Sequence, residues 1–501
     1  MPKYVFDVEY DVAVIGGGAA GKMAAYTAAK EGGLKVVLLE KMKETGGTSI
    51  YTEDLTAFNS IEQQERKTPP TFTGTPFDHY PTYAEGYARY MDYSHQRANP
   101  DVVRVQLYET AETVQLYRDL GAECVNVFVF AFNQPNELNT AHRYEGLGER
   151  MQELLLRATV NAGVDVFTST PAKRLLANGG AVEGVEVVDA EGNKMLIGAK
   201  AVILATGGFG NDPAMVKKYA WQHWTANYTS QCVPTENTGD GLNMALEVGA
   251  DGATSPGCVM NIPCAWGKLL TAHTTGAGIQ PIIWVNNRGE RFANEEMGFS
   301  FMNAGSSIIK QPKGIAYAIL DADQVKYYME EGSEISLGEF IVFNQKLTHL
   351  QAELDQDIKE GTAWKGDTIE ELAFAINDVD RHALIETLKE YNDFCQDGVD
   401  KKHFKQAKYM RPLSKPPFYA IRMAASILTT IGGIRVNGNM QVTDENYDPI
   451  PGLYATGNDA SGLYGDSYNL DCPGTANGFA HASGRKAARH AIKTISKEGG
   501  C

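Results

Sequence analysis

Residues 10–41 read YDVAVIGGGAAGKMAAYTAAKEGGLKVVLLEK. The short apolar run Val12–Ile15 predicts a buried strand that ends at Gly16-x-Gly18-x-x-Gly21. An Ala-rich stretch with helical spacing follows, and a second apolar run, Val36–Leu39, stops at Glu40. Strand, glycine turn, helix and strand in this order form a dinucleotide-binding βαβ fingerprint, which is more than a bare glycine triplet. Gly16 permits the tight turn, Gly18 lets the backbone approach a pyrophosphate, and Gly21 lets helix and strand pack closely. The first helical turn offers N–H groups and a positive dipole end to phosphate. Glu40, at the end of the second strand, is placed to accept hydrogen bonds from ribose hydroxyls.

Beyond the fingerprint, 501 residues are too many for one simple core and predict two or three domains. A net charge of −17 argues against nucleic acid or an anionic membrane surface as partner. No apolar run reaches the roughly 18–20 residues that a membrane span needs. The start, MPKYVFDVEYD, has neither an apolar signal region nor twin arginines, so the expected location is the cytoplasm. The cysteines Cys124, Cys232, Cys258, Cys264, Cys395, Cys472 and Cys501 are scattered, with no C-x-x-C. Iron–sulfur clusters, c-type haem and a disulfide framework are therefore not expected. Apart from Cys472, the cysteines read as small buried hydrophobes.

Along the chain, Thr45–Ser49 reads as a small-residue turn and residues 52–100 as irregular. Asn99 and Pro100 open a helix that runs to Leu120, and a second helix fits Gly146–Asn161. A short strand fits Val164–Thr168. Val182–Val188 and Lys194–Ile197 read as a hairpin, and a buried strand from Ala201 ends at the turn Thr206-Gly-Gly-Phe-Gly210. Residues 241–365 change in texture, mixing glycine-bounded strands, aromatics and short helices, and read as an inserted domain. Two helices are expected over 368–395, strands at Phe418–Met423, Gly433–Val436 and Gly452–Ala455, and a last helix over Thr475–Ile495.

Four further motifs accompany the fingerprint: Ala205-Thr-Gly-Gly-Phe-Gly210, Thr238-Gly-Asp-Gly241, Val285-Asn-Asn-Arg-Gly-Glu-Arg-Phe-Ala-Asn-Glu295 and Pro451-Gly-Leu-Tyr-Ala-Thr-Gly-Asn-Asp459. In this order the sequence resembles the flavoprotein family of fumarate reductases, succinate dehydrogenase flavoprotein subunits and 3-ketosteroid dehydrogenases. The resemblance implies an α/β fold: a glutathione-reductase-like, FAD-binding Rossmann domain (residues 1–240 and 366–501) interrupted by an α+β capping domain (241–365). It also implies an FAD site. Gly16, Gly18, Ala19 and Gly21 would face the pyrophosphate, with Glu40 and Lys41 at the adenosine ribose. Gly47, Thr48 and Ser49 would lie on the flavin side of the pyrophosphate. Ala172 would meet the adenine, Thr206 and Gly207 would pass near the dinucleotide, and Asp240 would sit beside the flavin. Asp459 would bind the ribityl chain. Thr475, Ala476 and Asn477 would aim a helix N-terminus at the flavin N1/O2 edge, where charge accumulates on reduction. Covalently flavinylated relatives carry a histidine in the loop after the first βαβ unit. Gly46–Ser60 has none, so non-covalent FAD is expected.

The sequence departs from the fumarate pattern where chemistry occurs. Phe299 stands where the family's proton-donating arginine would fall, and Thr429 stands in place of a histidine. The loop Gly465-Asp-Ser-Tyr-Asn-Leu-Asp-Cys-Pro-Gly474 has no basic residue. Without these arginines, bidentate recognition of a dicarboxylate is not expected. The loop is similar to that of the ketosteroid dehydrogenases, in which a tyrosine hydroxyl and a backbone N–H polarise a ketone oxygen. Tyr468 and Gly474 are candidates for those roles, though Tyr468 could instead pack against flavin or cap. Asp466, Asp471, Cys472, Tyr464 and His273 are the other polar candidates for acid or base. Each also has a plain structural reading as turn former, packing group or ordinary cap residue.

The expected function is hydride transfer between flavin N5 and an activated carbon. Ene-reduction or dehydrogenation of a small, neutral, cyclic ketone-type substrate, such as a steroid, flavonoid or other polyphenol, fits best. Trp266, Trp284, Phe299 and Phe301 suit such a substrate, or else form core. The electron donor is left open among reduced flavin, a small carrier protein and NAD(P)H. The alternatives are a flavin-dependent oxidase and a non-catalytic flavin-binding subunit or sensor.

Overall fold

The computed structural model describes residues 4–69, 79–129, 137–221, 224, 229–230, 235–252, 258–338, 340–465 and 467–498. The expectations for Asp466, Cys232 and Cys501 lie outside the described residues. β1 (Val8–Ile15) and β2 (Val36–Leu39) run parallel and are joined by α1 (Ala19–Gly32). Val12–Ile15 and all of β2 are buried, as continuous apolar runs in a parallel sheet require. Gly33, at φ 61°, ends α1 in the left-handed conformation.

The described residues of the stretch 52–100 are more ordered than the sequence suggests. They hold β3 (Asp54–Thr56), α2 (Ile61–Arg66) and α3 (Tyr83–Tyr93). Reciprocal capping boxes, Ser60 with Gln63 and Thr82 with Glu85, start the two helices. Helices this short carry little periodicity, so their caps are the main signal. α4 (Pro100–Asp119) begins at the Asn99 cap. β4 (Cys124–Phe128) and β5 (Ala141–Tyr144) join β3 in a small antiparallel sheet ordered β3-β5-β4. α5 (Leu147–Asn161) leads into β6 (Asp165–Phe167), which pairs with β2. Next come β7 (Ala172–Asn178), β8 (Ala181–Val188) and β9 (Lys194–Leu204). The two strands expected at Lys194–Ile197 and from Ala201 are one. β9 pairs antiparallel with β8 in its first part and parallel with β1 from Ile197 onward, which also extends β1 back to Val8. α6 (Pro213–Tyr219) and α7 (Asp240–Glu247) follow.

The chain divides into two compact units: Met1–Ala220, Pro234–Met260 and Thr429–Cys501 form one, and Trp221–Val233 and Asn261–Leu428 the other. Within or bordering the second unit lie β10 (Thr229–Ser230), β11 (Cys258–Ala265), α8 (His273–Gly278), β12 (Ile283–Val285), α9 (Phe301–Ile309) and β13 (Ile315–Leu320). They are followed by α10 (Ala322–Glu330), α11 (Leu350–Glu360), β14 (Ala363–Gly366), α12 (Ile369–Ala375), α13 (Arg381–Asp397) and β15 (Phe418–Ile431). The unit extends past residue 365 because β15 is hydrogen-bonded antiparallel to both β13 and β14. Alternate residues of β13 enter two cores: Ala316, Ala318 and Leu320 join Trp284, while Ile315, Tyr317 and Ile319 join Leu384 and Tyr391. Trp284 is thus core, and Phe299, Phe301 and Trp266 pack against these clusters.

On returning to the first unit, β16 (Gln441–Thr443) and β17 (Pro449–Ala455) extend the main sheet, ordered β16-β17-β9-β1-β2-β6, with β8 also on β9. The strand expected at Gly433–Val436 is reduced to isolated bridges at Ile434 and Val436, beside Gly432 and Gly433 at φ 99° and 125°. α14 (Thr475–Glu498) closes against α1, and a Cβ at Gly484 would lie 2.3 Å from the Ala20 carbonyl oxygen. Among the described residues, no helix is long and apolar enough to cross a membrane.

Candidate active site

The glycines of the fingerprint do different things. A Cβ at Gly16 would lie 2.2 Å from the Ala205 oxygen, and one at Gly21 would lie 1.8 Å from the Gly16 oxygen, so the protein's own packing forbids both. At Gly18 the nearest atoms, Gly46 O and Ser49 Oγ, would be 3.8 Å away, which leaves an open face. Ala19 N donates to Ser49 Oγ (3.2 Å), and Gly47, at φ 52°, lies opposite Gly18. Glu40 is buried, and its carboxylate accepts from Gly17 N and Met42 N, both at 2.8 Å. Gly16, Gly18, Ala19, Gly21, Glu40, Gly47 and Ser49 therefore gather at the start of α1.

A second group stands around Lys41 and Thr206. Lys41 Nζ donates to Thr238 Oγ1 and to Asp240 Oδ2, both at 2.8 Å. Asn237, which the sequence did not single out, donates from Nδ2 to Thr48 Oγ1 (3.0 Å) and sits against Gly207. Asp459, expected at a ribityl chain, is buried, and its carboxylate accepts from Thr206 N (2.5 Å), Thr206 Oγ1 (2.9 Å) and Gly208 N (2.9 Å). Burial pushes this carboxyl up, and these donors oppose the shift. The neighbouring Asn458 donates to Thr429 Oγ1 (3.0 Å), and the Thr429 hydroxyl donates to Thr430 O (3.1 Å). Ala172 opens β7 opposite Val187.

A third group surrounds the start of α14. Gly474 has φ 79°, and a Cβ there would lie 2.7 Å from Thr56 N. Thr56 N donates to Gly474 O (3.1 Å), and Asn477 Nδ2 donates to Asp54 O (3.1 Å). Asn477 Oδ1 is buried without a protein partner. Ala476 N donates to the Tyr468 hydroxyl oxygen (3.2 Å), and the Tyr464 ring lies 5.5 Å from that of Tyr468. Tyr90 shares a short hydrogen bond with the Thr475 hydroxyl, and Gln106 Nε2 donates to Tyr90 (3.2 Å). Burial pushes the Tyr90 phenol well up. Tyr90 and Gln106 were missed because α3 lies in the stretch read as irregular and α4 carries no motif.

The remaining candidates are placed differently. Cys472 is fully buried, and burial pushes its thiol up, which keeps it protonated at neutral pH. Asp471 Oδ2 lies 3.3 Å from Arg89 NH1 of α3. Burial raises its carboxyl and Arg89 pulls it back. His273 opens α8 in the second unit, where its Nδ1 accepts from His349 N (2.8 Å) and its ring lies 5.1 Å from that of His349. Phe299 is also in the second unit, with its ring 5.6 Å from that of Tyr409.

Residues 11–472 match the FAD binding domain family. Over 497 residues the chain is 34% identical to the vinyl phenol reductase of Lactiplantibacillus plantarum, covering 97% of this chain and 96% of that protein. It is 26% identical over 462 residues to the NADH:fumarate oxidoreductase of Klebsiella pneumoniae, covering 91% of this chain but 45% of that protein. Among solved structures, the 3-ketosteroid delta1-dehydrogenase of Sterolibacterium denitrificans in complex with 1,4-androstadiene-3,17-dione shares the fold. The TM-score is 0.77 at 21% identity, over 97% of this chain and 100% of that one.

Proposed function

The chain belongs to the FAD-binding domain family and is an FAD-dependent oxidoreductase of C=C or CH–CH bonds, and from that premise we propose that it reduces a double bond conjugated to the oxygen of a neutral ring, a vinyl phenol or a cyclic enone. The observation that carries this reading is the loop Gly465–Gly474. It has no basic residue, and it brings the Tyr468 hydroxyl oxygen to 3.2 Å from Ala476 N at the start of α14. The end-to-end likeness to a reductase named for vinyl phenol agrees with it.

The residues fit the cofactor. A Cβ at Gly18 would fill an otherwise open cradle, and Asn477 Oδ1 is an orphaned buried acceptor beside the start of a 24-residue helix. Gly18, Ala19, Gly47 and Ser49 would hold the pyrophosphate, Glu40 the ribose, and Thr475–Asn477 the flavin end. FAD, when bound, supplies the hydride.

Tyr468 holds the substrate oxygen in this reading. Its own oxygen accepts from Ala476 N–H, so negative charge that develops on the phenol is stabilised by the helix end while its proton is directed to the substrate. In an enone, charge moves onto the carbonyl oxygen as hydride adds to the β carbon, and the Tyr468 hydroxyl lowers that barrier. In a vinyl phenol, the phenolic proton passes to water and the phenolate oxygen accepts from the Tyr468 hydroxyl, which raises electron density at the terminal carbon. That carbon takes a proton from water, hydride adds to the carbon attached to the ring, and the resulting phenolate is reprotonated by water on release. Both routes make Tyr468 the residue at the oxygen.

The test is anaerobic reoxidation of photoreduced enzyme. 4-Vinylphenol or a neutral cyclic enone should reoxidise it, and fumarate should not. Reoxidation by fumarate in preference to every neutral compound overturns the proposal.

A further inference from the structure

We propose that Asp471 is a specificity-determining residue that cancels the charge of Arg89 and thereby excludes substrates carrying a carboxylate. The inference rests on the function proposed above and names which members of the substrate class are refused. An arginine does reach the Gly465–Gly474 loop, although the loop itself has no basic residue: Arg89 comes from α3, next to Tyr90, which touches Thr475. Its guanidinium meets Asp471 through one contact of 3.3 Å, and the two side chains are 27% and 12% exposed. Asp471 is held in place from both sides. Its N–H donates to Asn469 Oδ1 (2.8 Å), and its carbonyl accepts from Leu138 N (2.7 Å). The backbone at Asp471 is therefore fixed, three residues in sequence from Tyr468 and four from Thr475, and its carboxylate is held by Arg89.

The arrangement discriminates in two ways. An unpaired guanidinium at the loop that carries Tyr468 would attract an anionic ligand with a directed, charge-assisted hydrogen bond. With Asp471 present that attraction is satisfied internally, and an incoming carboxylate meets a like charge in a half-buried setting where screening is weak. A neutral phenol or enone has no such cost.

The experiment measures equilibrium binding of two probes to the FAD-loaded enzyme by calorimetry: 4-vinylphenol, and the same ring bearing an acrylate in place of the vinyl group. In Asp471→Asn the ratio of acrylate to vinyl affinity should rise by on the order of tenfold or more, the scale of one charge-assisted hydrogen bond. Adding Arg89→Gln should return the ratio to the wild-type level. Asp471→Ser serves as a second variant should Asp471→Asn fail to fold. A ratio unchanged by removing the Asp471 charge overturns the inference, and so does a rise that persists without Arg89. Failure of wild-type enzyme to bind 4-vinylphenol or a cyclic enone overturns the proposed function instead, and the inference with it.

Discussion

Gly18 and Gly21 belong to one fingerprint but answer to different constraints, and substitution separates them. Gly21→Ala places a Cβ 1.8 Å from the Gly16 oxygen, an overpacking that should cost about 1–3 kcal/mol and lower the melting temperature. Gly18→Val meets little in the protein but fills the cradle, so it should leave the fold intact and abolish FAD binding. A folded Gly18→Val protein with a full complement of FAD would show that the cradle is not the pyrophosphate site. Tyr468→Phe should lower kcat on the order of 10²-fold, the scale of one lost oxyanion donor, with FAD content little changed. Wild-type turnover would remove Tyr468 from the mechanism. Lys22 shows a titration of another kind. It is buried in α1, donating to Gln152 O (3.3 Å), and burial pushes its ammonium down to about 7 against the attraction of Glu40. The unfolded chain keeps that proton up to about 10.5, so unfolding takes up a proton between these values and stability rises with pH across that window. Lys22→Met should flatten this slope in denaturation measured from pH 7 to 10. Parallel slopes in the two proteins would count against the assignment.

At the scale of the element, the segment after the first βαβ unit bears on how FAD is attached, since covalently flavinylated relatives carry their histidine there. Gly46–Ser60 contains no histidine. His142 of β5 pairs across the small sheet with Leu55, but Ser60 Oγ engages its Nε2 and Thr140 O its Nδ1. Acid precipitation should therefore release all of the flavin, and colour retained in the pellet would contradict this. The element α14 was legible as a helix because its small-residue start and amphipathic body are local patterns. Its surroundings were not. Tyr90 and Gln106 meet Thr475 across hundreds of residues of sequence, and nothing in the local pattern of α3 or α4 marks that meeting.

At the scale of the molecule, each unit has its own cores: Met23, Leu55 and Tyr117 in the first, Trp284, Tyr328 and Leu350 in the second. Every residue proposed to hold FAD, from Gly16 to Asn477, lies in the first unit. A ligand that binds only the native form of one unit raises that unit's stability by mass action. Scanning calorimetry should thus resolve two transitions, only one of which rises with added FAD. A single transition that moves as a whole would refute the separation. The sequence by itself determined the βαβ fingerprint, the Asn99 and Thr368 helix starts and the absence of basic residues from the site loop, because each is a matter of neighbours within a few residues. Only the tertiary structure decided that β15 draws residues 366–428 into the second unit, that Thr206 and Gly208 donate to Asp459, and that Arg89 faces Asp471. The reason is physical: a strand's partner, a buried carboxylate's donors and a guanidinium's counter-charge are chosen by packing between segments 100 to nearly 400 residues apart, and local periodicity carries no record of that choice.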